Sequence, residues 1–315
     1  MLHQKERFQR KEIEASSIRS VMKPLKLLME MNDVMGINWK KIAKMMPPSR
    51  NYALDRAPTT AEIRTMVTNT ELRFQAILLT MASSGIRVGS WEFLNVGHVE
   101  PVKSGDKIMA AKLTVYAGEP EEYFTFITPE AYNKIQEYLS FREQHGEKLT
   151  KDSPLARDRW RTSGTRPWQF SGDIQNPIRL MPDGVKRLFE EMMWKLGFRT
   201  EKKRRHEFSI HSLRKFFKTR AEQVMRPINV ETLMGHSTGI SDSYYRPTTK
   251  NLLDDYLRAV PLLTVSEAEE IRQQSLEVEK ANSERLKQLE ALVSQLVAEK
   301  GEQVLALDRS HKSGT

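Results

Sequence analysis

The sequence predicts a mainly helical protein with one small antiparallel β-sheet (an α+β protein). Three observations predict this fold class. Apolar residues recur at helical spacing in long segments, as in Phe74, Ile77 and Met81. Residues 107–128 have the composition of strands and contain a Gly-Glu-Pro turn, which predicts a β-hairpin. Residues 142–180 are polar and rich in Gly, Pro and Arg, so we expect a long irregular connection there.

Residues 1–57 are expected to form a short, basic, helical N-terminal segment. Ile18, Val21, Leu25 and Leu28 recur at helical spacing. The segment has 12 basic and 6 acidic residues. It is too short for a robust core of its own, so we expect it to dock on a nucleic acid or on the next domain.

Residues 58–264 are expected to form the main domain. Thr59–Glu62 predicts a helix start with an acidic first turn, and an apolar helix is expected to end at Ser83–Gly85. Residues 112–116 and 123–127 are the two predicted strands of the hairpin. Four further helices are predicted, at 129–141, 184–196, 212–223 and 229–234.

Residues 265–315 are expected to form a helical C-terminal tail, rich in Glu, Gln, Leu and Ala. Leu286, Leu289, Val293 and Leu296 fit the a and d positions of about two heptads. Two interpretations remain open. The tail is either an amphipathic helix that packs back on the body or a short coiled coil between subunits.

The charge of the chain suits a polyphosphate partner. Of 315 residues, 50 are Lys or Arg and 41 are Asp or Glu, giving +9 and a pI near 9.5. Residues 1–264 carry +12, whereas the tail carries −3. A basic body attracts nucleic acid because each neutralised phosphate releases counterions, although the same charge also fits simple solubility.

Composition also excludes several classes of protein. The chain has no cysteine, which excludes disulfides, thiolate metal sites and cysteine nucleophiles. No apolar run approaches the ~20 residues that a membrane span requires, and the N-terminus lacks an apolar signal core. We therefore expect a cytoplasmic protein with no membrane partner.

Residues suited to phosphoryl transfer are concentrated near the C-terminal end of the main domain. His211 and Arg214 form a His-Ser-Leu-Arg motif, His236 follows Gly235, and Arg87 ends an upstream Ser-Gly-Ile-Arg motif. Arginine donates bidentate hydrogen bonds to phosphate, and histidine exchanges protons near neutral pH. A tyrosine pair follows, and a tyrosine can store a phosphodiester bond covalently. Singly, each residue also fits a structural role such as a helix cap, a helix stop or a core aromatic.

Together, the order and spacing of these residues resemble tyrosine recombinases of the phage-integrase type, similar to archaeal integrases. The resemblance covers about residues 59–262, with a partial match of the N-terminal segment to the preceding DNA-clamping, or core-binding, domain. It implies the helical fold of a DNA breaking-rejoining catalytic domain. It also implies five catalytic residues, namely Arg87, His211, Arg214, His236 and Tyr245. Tyr244 is the adjacent alternative to Tyr245 as nucleophile.

The activity that this resemblance implies is site-specific DNA recombination or integration through a covalent 3′-phosphotyrosine. Double-stranded DNA is the expected partner, with four protomers assembled on two DNA sites as a homo-oligomer. No cofactor and no metal are expected. Two alternatives remain: a DNA-relaxing enzyme of the type IB topoisomerase kind, and a non-catalytic DNA-binding derivative of the fold.

The sequence departs from the family pattern at two positions. The family carries a lysine in the hairpin that follows the first arginine, but residues 116–119 contain none, and Lys112 lies earlier on the strand. The acidic residue often found three positions after that arginine is Ser90 here, with Glu92 nearby. These departures leave the identity of the general acid open.

Two further basic segments are candidate contacts to the DNA backbone. The first is the run at residues 202–206, for which a solvated loop is an equal interpretation. The second lies in the long irregular connection. It combines four arginines with two tryptophans: Arg157, Arg159, Arg161, Arg166, Trp160 and Trp168.

Overall fold

The computed structural model describes most of the chain and divides it into two compact units, Met1–Leu54 and Asp55–Thr315. The described residues are 2–47, 56–160, 173–202, 206–237, 239 and 244–267, with scattered positions between 271 and 289. This part of the chain contains ten α-helices and one three-stranded antiparallel sheet. The predicted fold class is therefore confirmed.

The first unit is helical. Its helices are α1 (Leu2–Gln9), α2 (Ala15–Met31) and α3 (Trp39–Lys44). The helical spacing predicted in the sequence falls on α2, but only the start of that helix is buried, at Ala15 and Ile18. Most of its apolar face is therefore exposed, including several large side chains: Val21, Leu25, Leu27, Leu28 and Met31.

The second unit begins with two helices that lead to the candidate site. The helix α4 (Thr60–Thr68) begins where predicted, and the Thr59 hydroxyl and the Glu62 carboxylate form a capping box there. The next helix, α5 (Leu72–Ser84), is buried over nearly its whole length. It packs against helices and strands on several sides and forms the centre of the core.

A left-handed glycine ends α5. Gly85 has φ +65°, a conformation that other residues adopt only with strain. A Cβ at this position would lie 2.5 Å from the Phe217 ring, so the approach of two helices also requires glycine. The chain leaves α5 through this turn and reaches Arg87 two residues later.

The sheet contains one more strand than the sequence predicts. Two short 3₁₀ helices, Val88–Glu92 and Val96–His98, lead into β1 (Val99–Ser104). The predicted hairpin consists of β2 (Lys107–Val115) and β3 (Tyr123–Ile127), and the strand order is β1-β2-β3. β1 was missed because this edge strand is mostly exposed and contains a proline, so its sequence lacks an apolar alternation.

Five helices complete the second unit. They are α6 (Pro129–Gln144), α7 (Pro182–Lys195), α8 (Ser212–Ala221), α9 (Pro227–Leu233) and α10 (Thr249–Leu263). The first four confirm the predicted helices with shifted ends, and α6, α7 and α9 begin with a proline, which suits a first helical turn. The sequence prediction did not include α10.

The irregular connection after α6 is fixed by a buried ion cluster. Arg142 and Arg157 are fully buried and share Glu147, at N–O distances of 2.5 and 2.8 Å. Burial opposes ionisation of Glu147, but the hydrogen bonds from both guanidinium groups outweigh it and lower its pKa. The expectation that Arg157 contacts DNA is therefore wrong, because its guanidinium is used inside the fold.

The other candidate DNA contacts of this connection have different surroundings. Arg159 is half exposed and pairs with Glu71, at 2.5 Å. The Arg157 guanidinium stacks on the Trp160 ring, with its Cζ 4.9 Å from the ring centre. Arg161, Arg166 and Trp168 lie outside the described residues, as does most of the run at 202–206.

The compact body of the second unit continues just beyond α10. Val265 is buried, its amide donates to Glu130 at 2.7 Å, and its carbonyl accepts from Arg64 at 2.8 Å. Leu286 and Leu289 of the predicted tail are exposed, whereas Val293 and Leu296 lie outside the described residues. Within the described part of the chain, no helix is long and apolar enough to cross a membrane.

Candidate active site

Arg214 lies at the centre of the candidate site. It occupies the first turn of α8. At the start of this helix the Ser209 amide donates a hydrogen bond to the Ser212 hydroxyl, at 3.0 Å. The guanidinium donates to the carbonyl of Gly85 at the end of α5 and to that of Met234 at the end of α9, the latter at 2.8 Å. One buried cation thus joins the ends of two other helices.

Arg87 reaches the same turn from a different part of the chain. Both of its terminal nitrogens lie 3.4 Å from the carbonyl oxygen of Gly235. Burial lowers the pKa of Arg214, and the positive charge of Arg87 lowers it further. Since an arginine keeps its proton throughout the neutral range, the two guanidinium groups form a site with a strong preference for an anion.

The turn between α9 and His236 depends on a second left-handed glycine. Gly235 has φ +64°, and a Cβ there would lie 2.5 Å from the ring of Tyr123 at the start of β3. Glycine therefore lets the hairpin pack closely beneath the turn. Burial raises the pKa of Tyr123, while the positive charges of Arg214 and Arg87 oppose that rise.

His236 completes a cluster of three cation-forming side chains. Its Nε2 lies 2.5 Å from an Nη of Arg214, and its Nδ1 contacts the carboxylate of Glu231. Because the arginine can only donate, Nε2 accepts and the ring proton lies on Nδ1, facing the carboxylate. Arg87, Arg214 and His236, which the sequence predicted as one site, are therefore brought together here.

His211 is the second predicted histidine of the site. It is exposed and occupies the position just before α8, one turn ahead of Arg214 along the chain. Its side chain does not cap the helix. The structure therefore leaves this imidazole at the surface, beside the helix that carries the buried arginine.

The two tyrosines of the pair have different surroundings. Tyr244 is 85% exposed, whereas Tyr245 is half-buried. The Tyr245 hydroxyl donates to the side-chain oxygen of Asn229 on α9, at 2.7 Å, and Asn229 in turn donates to Asp255 on α10, also at 2.7 Å. The structure thus anchors the Tyr245 oxygen on α9 rather than on Arg214 or His236.

The β2–β3 hairpin contributes no lysine to the cluster. The Nζ of Lys112 lies 3.9 Å from the Glu100 carboxylate on β1 and 5.6 Å above the Phe124 ring on β3. The side chain therefore lies along the sheet. Ser90 is buried, and its hydroxyl donates to the Arg87 carbonyl at 2.6 Å. The residue in the place of the usual carboxylate therefore fixes the Arg87 backbone rather than its guanidinium.

Sequence reasoning missed the polar residues that support the site. Glu231, Lys218, Asn229 and Asp255 lie on three helices, and their contacts join α8 to α9 and α9 to α10. No spacing within one sequence reveals such pairs. Within the described residues, no group of three or more His, Asp or Glu side chains is arranged to hold a metal ion.

Comparison with solved structures shows similar folds at low sequence identity. The XerA recombinase is 17% identical over 82% of this chain and 81% of its own, with a TM-score of 0.42. A lambda integrase bound to a core site is 14% identical over 77% of this chain and 76% of its own, with a TM-score of 0.49. The Tn1549 transposon integrase bound to transposon right-end DNA is 15% identical over 80% and 82%, with a TM-score of 0.46.

No protein-family model matches the chain, and no curated protein matches it. All three structural identities lie below 25% and all three TM-scores below 0.5.

Proposed function

We propose that this chain is a DNA strand transferase that cuts and rejoins DNA at specific sites through a covalent 3′-phosphotyrosine. The observation that carries the proposal is the convergence of Arg87, Arg214 and His236 on one backbone turn, from three separate parts of the sequence. Two guanidinium groups and an imidazole at one place fit a phosphodiester that gains negative charge during a reaction.

In this mechanism the phenolic oxygen of Tyr245 attacks the phosphorus of one strand. A P–O bond to tyrosine forms, and the bond from phosphorus to the 5′ oxygen breaks. The phenolic proton passes to a histidine, and a protonated histidine gives a proton to the leaving 5′ oxygen, which becomes a hydroxyl. Arg87 and Arg214 stabilise the charge on the non-bridging oxygens, since a planar fork donates two aligned hydrogen bonds. Attack by a 5′ hydroxyl reverses these steps and reseals a strand.

Tyr245 must exchange its hydrogen bond before it attacks. Its hydroxyl donates to Asn229, so that bond breaks when the oxygen turns towards a phosphate held by Arg87 and Arg214. The exchange costs little, because a hydrogen bond contributes only about 0.5–1.5 kcal/mol net. A mobile nucleophile is therefore compatible with this fold.

Double-stranded DNA is the partner that the charge of the body favours. Residues 1–264 carry +12, which suits contacts along the phosphate backbone. In the proposed reaction four protomers assemble on two DNA sites and exchange strands in pairs. A type IB topoisomerase performs the same chemistry on one duplex, so relaxation of a plasmid without recombination would indicate that alternative.

One observation favours the other alternative, a non-catalytic DNA-binding derivative. The β2–β3 turn lacks a lysine and instead carries Glu119, Glu121 and Glu122. Acidic side chains at this turn repel a phosphate, and Lys112 lies on the preceding strand, 3.9 Å from Glu100. Activity therefore requires that a protonated histidine, rather than a hairpin lysine, supply the proton for the leaving oxygen.

The decisive experiment is covalent trapping on a nicked DNA substrate that loses its 5′ end after cleavage. We expect a protein–DNA adduct in the natural protein and in Tyr244→Phe, and none in Tyr245→Phe. DNA binding by Tyr245→Phe should stay within a few-fold, since only one oxygen is removed. Peptide mapping of the adduct identifies the tyrosine directly.

The matched pair of variants separates the possible outcomes. An adduct in Tyr245→Phe but not in Tyr244→Phe would move the nucleophile by one residue and leave the mechanism intact. Adducts in both single variants would contradict a mechanism that depends on one of these tyrosines. An absence of adduct in the natural protein, together with normal DNA binding, would support the non-catalytic derivative.

A further inference from the structure

Glu231 links the imidazole of the cluster to a lysine on a different helix. The residue lies on α9, where one carboxylate oxygen contacts Nδ1 of His236 and the other contacts Nζ of Lys218. Lys218 lies on α8, one turn after Arg214, and also pairs with Glu222 at 2.9 Å. The Glu231 carboxylate therefore contacts a lysine of α8 and the imidazole of His236 at the same time.

The charges of this group support an ionised carboxylate. Burial opposes ionisation of Glu231, but the hydrogen bonds from Lys218 and His236 outweigh it and lower its pKa. Burial also opposes the charge of Lys218, and its hydrogen bonds to Glu231 and Glu222 outweigh that effect and raise its pKa. Each partner thus stabilises the charged form of the other.

A carboxylate at Nδ1 determines what the other ring nitrogen can do. It accepts a hydrogen bond from Nδ1–H, so the tautomer with an unprotonated Nε2 is favoured and the ring cannot rotate freely. Nε2 then lies beside the Arg214 guanidinium, where the proposed phosphate binds. Without the carboxylate, either tautomer and several ring orientations become accessible.

We propose that Glu231 is a positioning residue, which fixes the ring orientation and the tautomer of His236 for phosphoryl transfer. This inference rests on the function proposed above for the site. Glu231 does not touch the reacting atoms. It acts through His236, and Lys218 holds it in place by joining α9 to α8.

The test compares single-turnover cleavage of the nicked substrate by variants of the full chain. Glu231→Ala should slow cleavage on the order of 10²-fold, the lower end of what a positioned acid or base contributes. Glu231→Gln should recover most of that loss, because the amide oxygen still accepts from Nδ1. DNA binding should stay within a few-fold in both variants. Glu222→Gln is the matched control, since Glu222 pairs with Lys218 but not with His236, and should cleave normally.

A double-mutant cycle shows whether the effect passes through His236. In a His236→Ala background, Glu231→Ala should slow cleavage by less than about two-fold, because coupled residues are not additive. Effects of the two single variants that multiply in the double variant would overturn the proposal. An equal loss in Glu222→Gln would also overturn it, because the charge on Lys218 would then be the determinant.

A second measurement does not depend on activity. In protein labelled with ¹⁵N-histidine and free of DNA, the His236 signals, assigned by their loss in His236→Ala, should report a proton on Nδ1. Glu231→Gln should keep that pattern, and Glu231→Ala should shift it towards a proton on Nε2. An unchanged pattern in a folded Glu231→Ala protein would contradict the inference, even if no cleavage were found. Failure of the natural protein to form an adduct would count against the proposed function instead.

Discussion

Arg214 combines two roles that usually fall to different residues. Its guanidinium satisfies the carbonyls that end α5 and α9, and the same group faces Arg87 and His236. A buried cation beside a second cation is unfavourable on its own, which is why its pKa is lowered. The backbone carbonyls offset part of that cost, and a bound phosphate would offset much of the rest.

The planar geometry of the guanidinium group, rather than its charge, should decide the effect of replacing Arg214. Arg214→Lys keeps one positive charge but cannot donate along two directions from a rigid plane. We expect cleavage to slow by at least ~10²-fold, the usual effect of removing one transition-state donor. The measurement is single-turnover cleavage with saturating protein, together with a thermal unfolding curve.

Arg187→Lys on α7 is a suitable control, because Arg187 is an exposed arginine that pairs only loosely with Glu191, at 3.9 Å. It should change neither rate nor stability. If Arg214→Lys cleaved at the natural rate, a point charge would suffice and bidentate stabilisation at this residue would be ruled out.

At the scale of the elements, the site depends on two turns that end helices. α5 ends at Gly85 and α9 at Gly235, both in the left-handed region, and each turn presents a carbonyl to one of the two arginines. The same turns allow close approach of a neighbouring ring, Phe217 in one case and Tyr123 in the other. Helix ends, hairpin and cations are therefore positioned together.

Gly235→Ala should separate backbone strain from steric crowding when it is compared with Gly105→Ala. Gly235 has a φ of +64° and Gly105 a φ of +58°, so their backbones are similar. A Cβ at Gly235 would have a neighbour within 4 Å, whereas a Cβ at Gly105 would have none. Gly105→Ala should cost about 1–2 kcal/mol, from the left-handed backbone alone. Gly235→Ala should cost clearly more, because Tyr123 or the turn must move.

Denaturant unfolding measures both free energies, and cleavage assays show whether the displaced Gly235 carbonyl disturbs Arg87. The Gly105 variant should cleave normally. Equal loss of stability in the two variants would show that the hairpin adjusts without cost. The close packing of Tyr123 against the turn would then be unimportant.

The accuracy of the sequence prediction differs between elements for physical reasons. The helices α6–α9 and the strands β2 and β3 carry their own periodicity and turn residues, so they were predicted. β1 is an exposed edge strand without alternation, and α10 contains Pro261 and charged residues on its open side. Both are formed by packing against the rest of the fold rather than by local preference.

The candidate site was predictable to the extent that its residues form short motifs. The motifs around Arg87, Arg214 and His236 fall on turns at helix ends, and the structure brings these side chains together. The contacts Glu231–His236 and Asn229–Tyr245 join residues through the tertiary fold. A single sequence contains no signal for such pairs, so the supporting residues emerged only from the structure.

At the scale of the whole molecule, charge and burial divide the chain at about the same position. The body carries +12 and its buried structure continues to Val265, which α4 and α6 hold through Arg64 and Glu130. The following residues carry −3, and their sequence predicts an apolar stripe at heptad spacing. A negatively charged segment is a poor DNA contact, so a protein surface is the more favourable partner for it.

We expect the tail to act in assembly rather than in chemistry. A chain that ends after Ser266 keeps Val265 and its two hydrogen bonds, so the body should fold and single-strand cleavage should be retained. An apolar stripe stabilises a helix only when a partner buries it, and a second copy of the chain supplies the same stripe. Self-association and recombination between two DNA sites should therefore fall.

In the full chain, Leu289→Lys combined with Leu296→Lys should mimic the truncation, because like charges would then face each other across the predicted coiled coil between two subunits. Light scattering with and without DNA, run beside the cleavage assay, measures both properties. Truncated protein that assembles and recombines like the full chain would show that the tail packs on its own body or stays in solvent. Loss of cleavage together with assembly would show instead that the tail contributes to the catalytic unit itself.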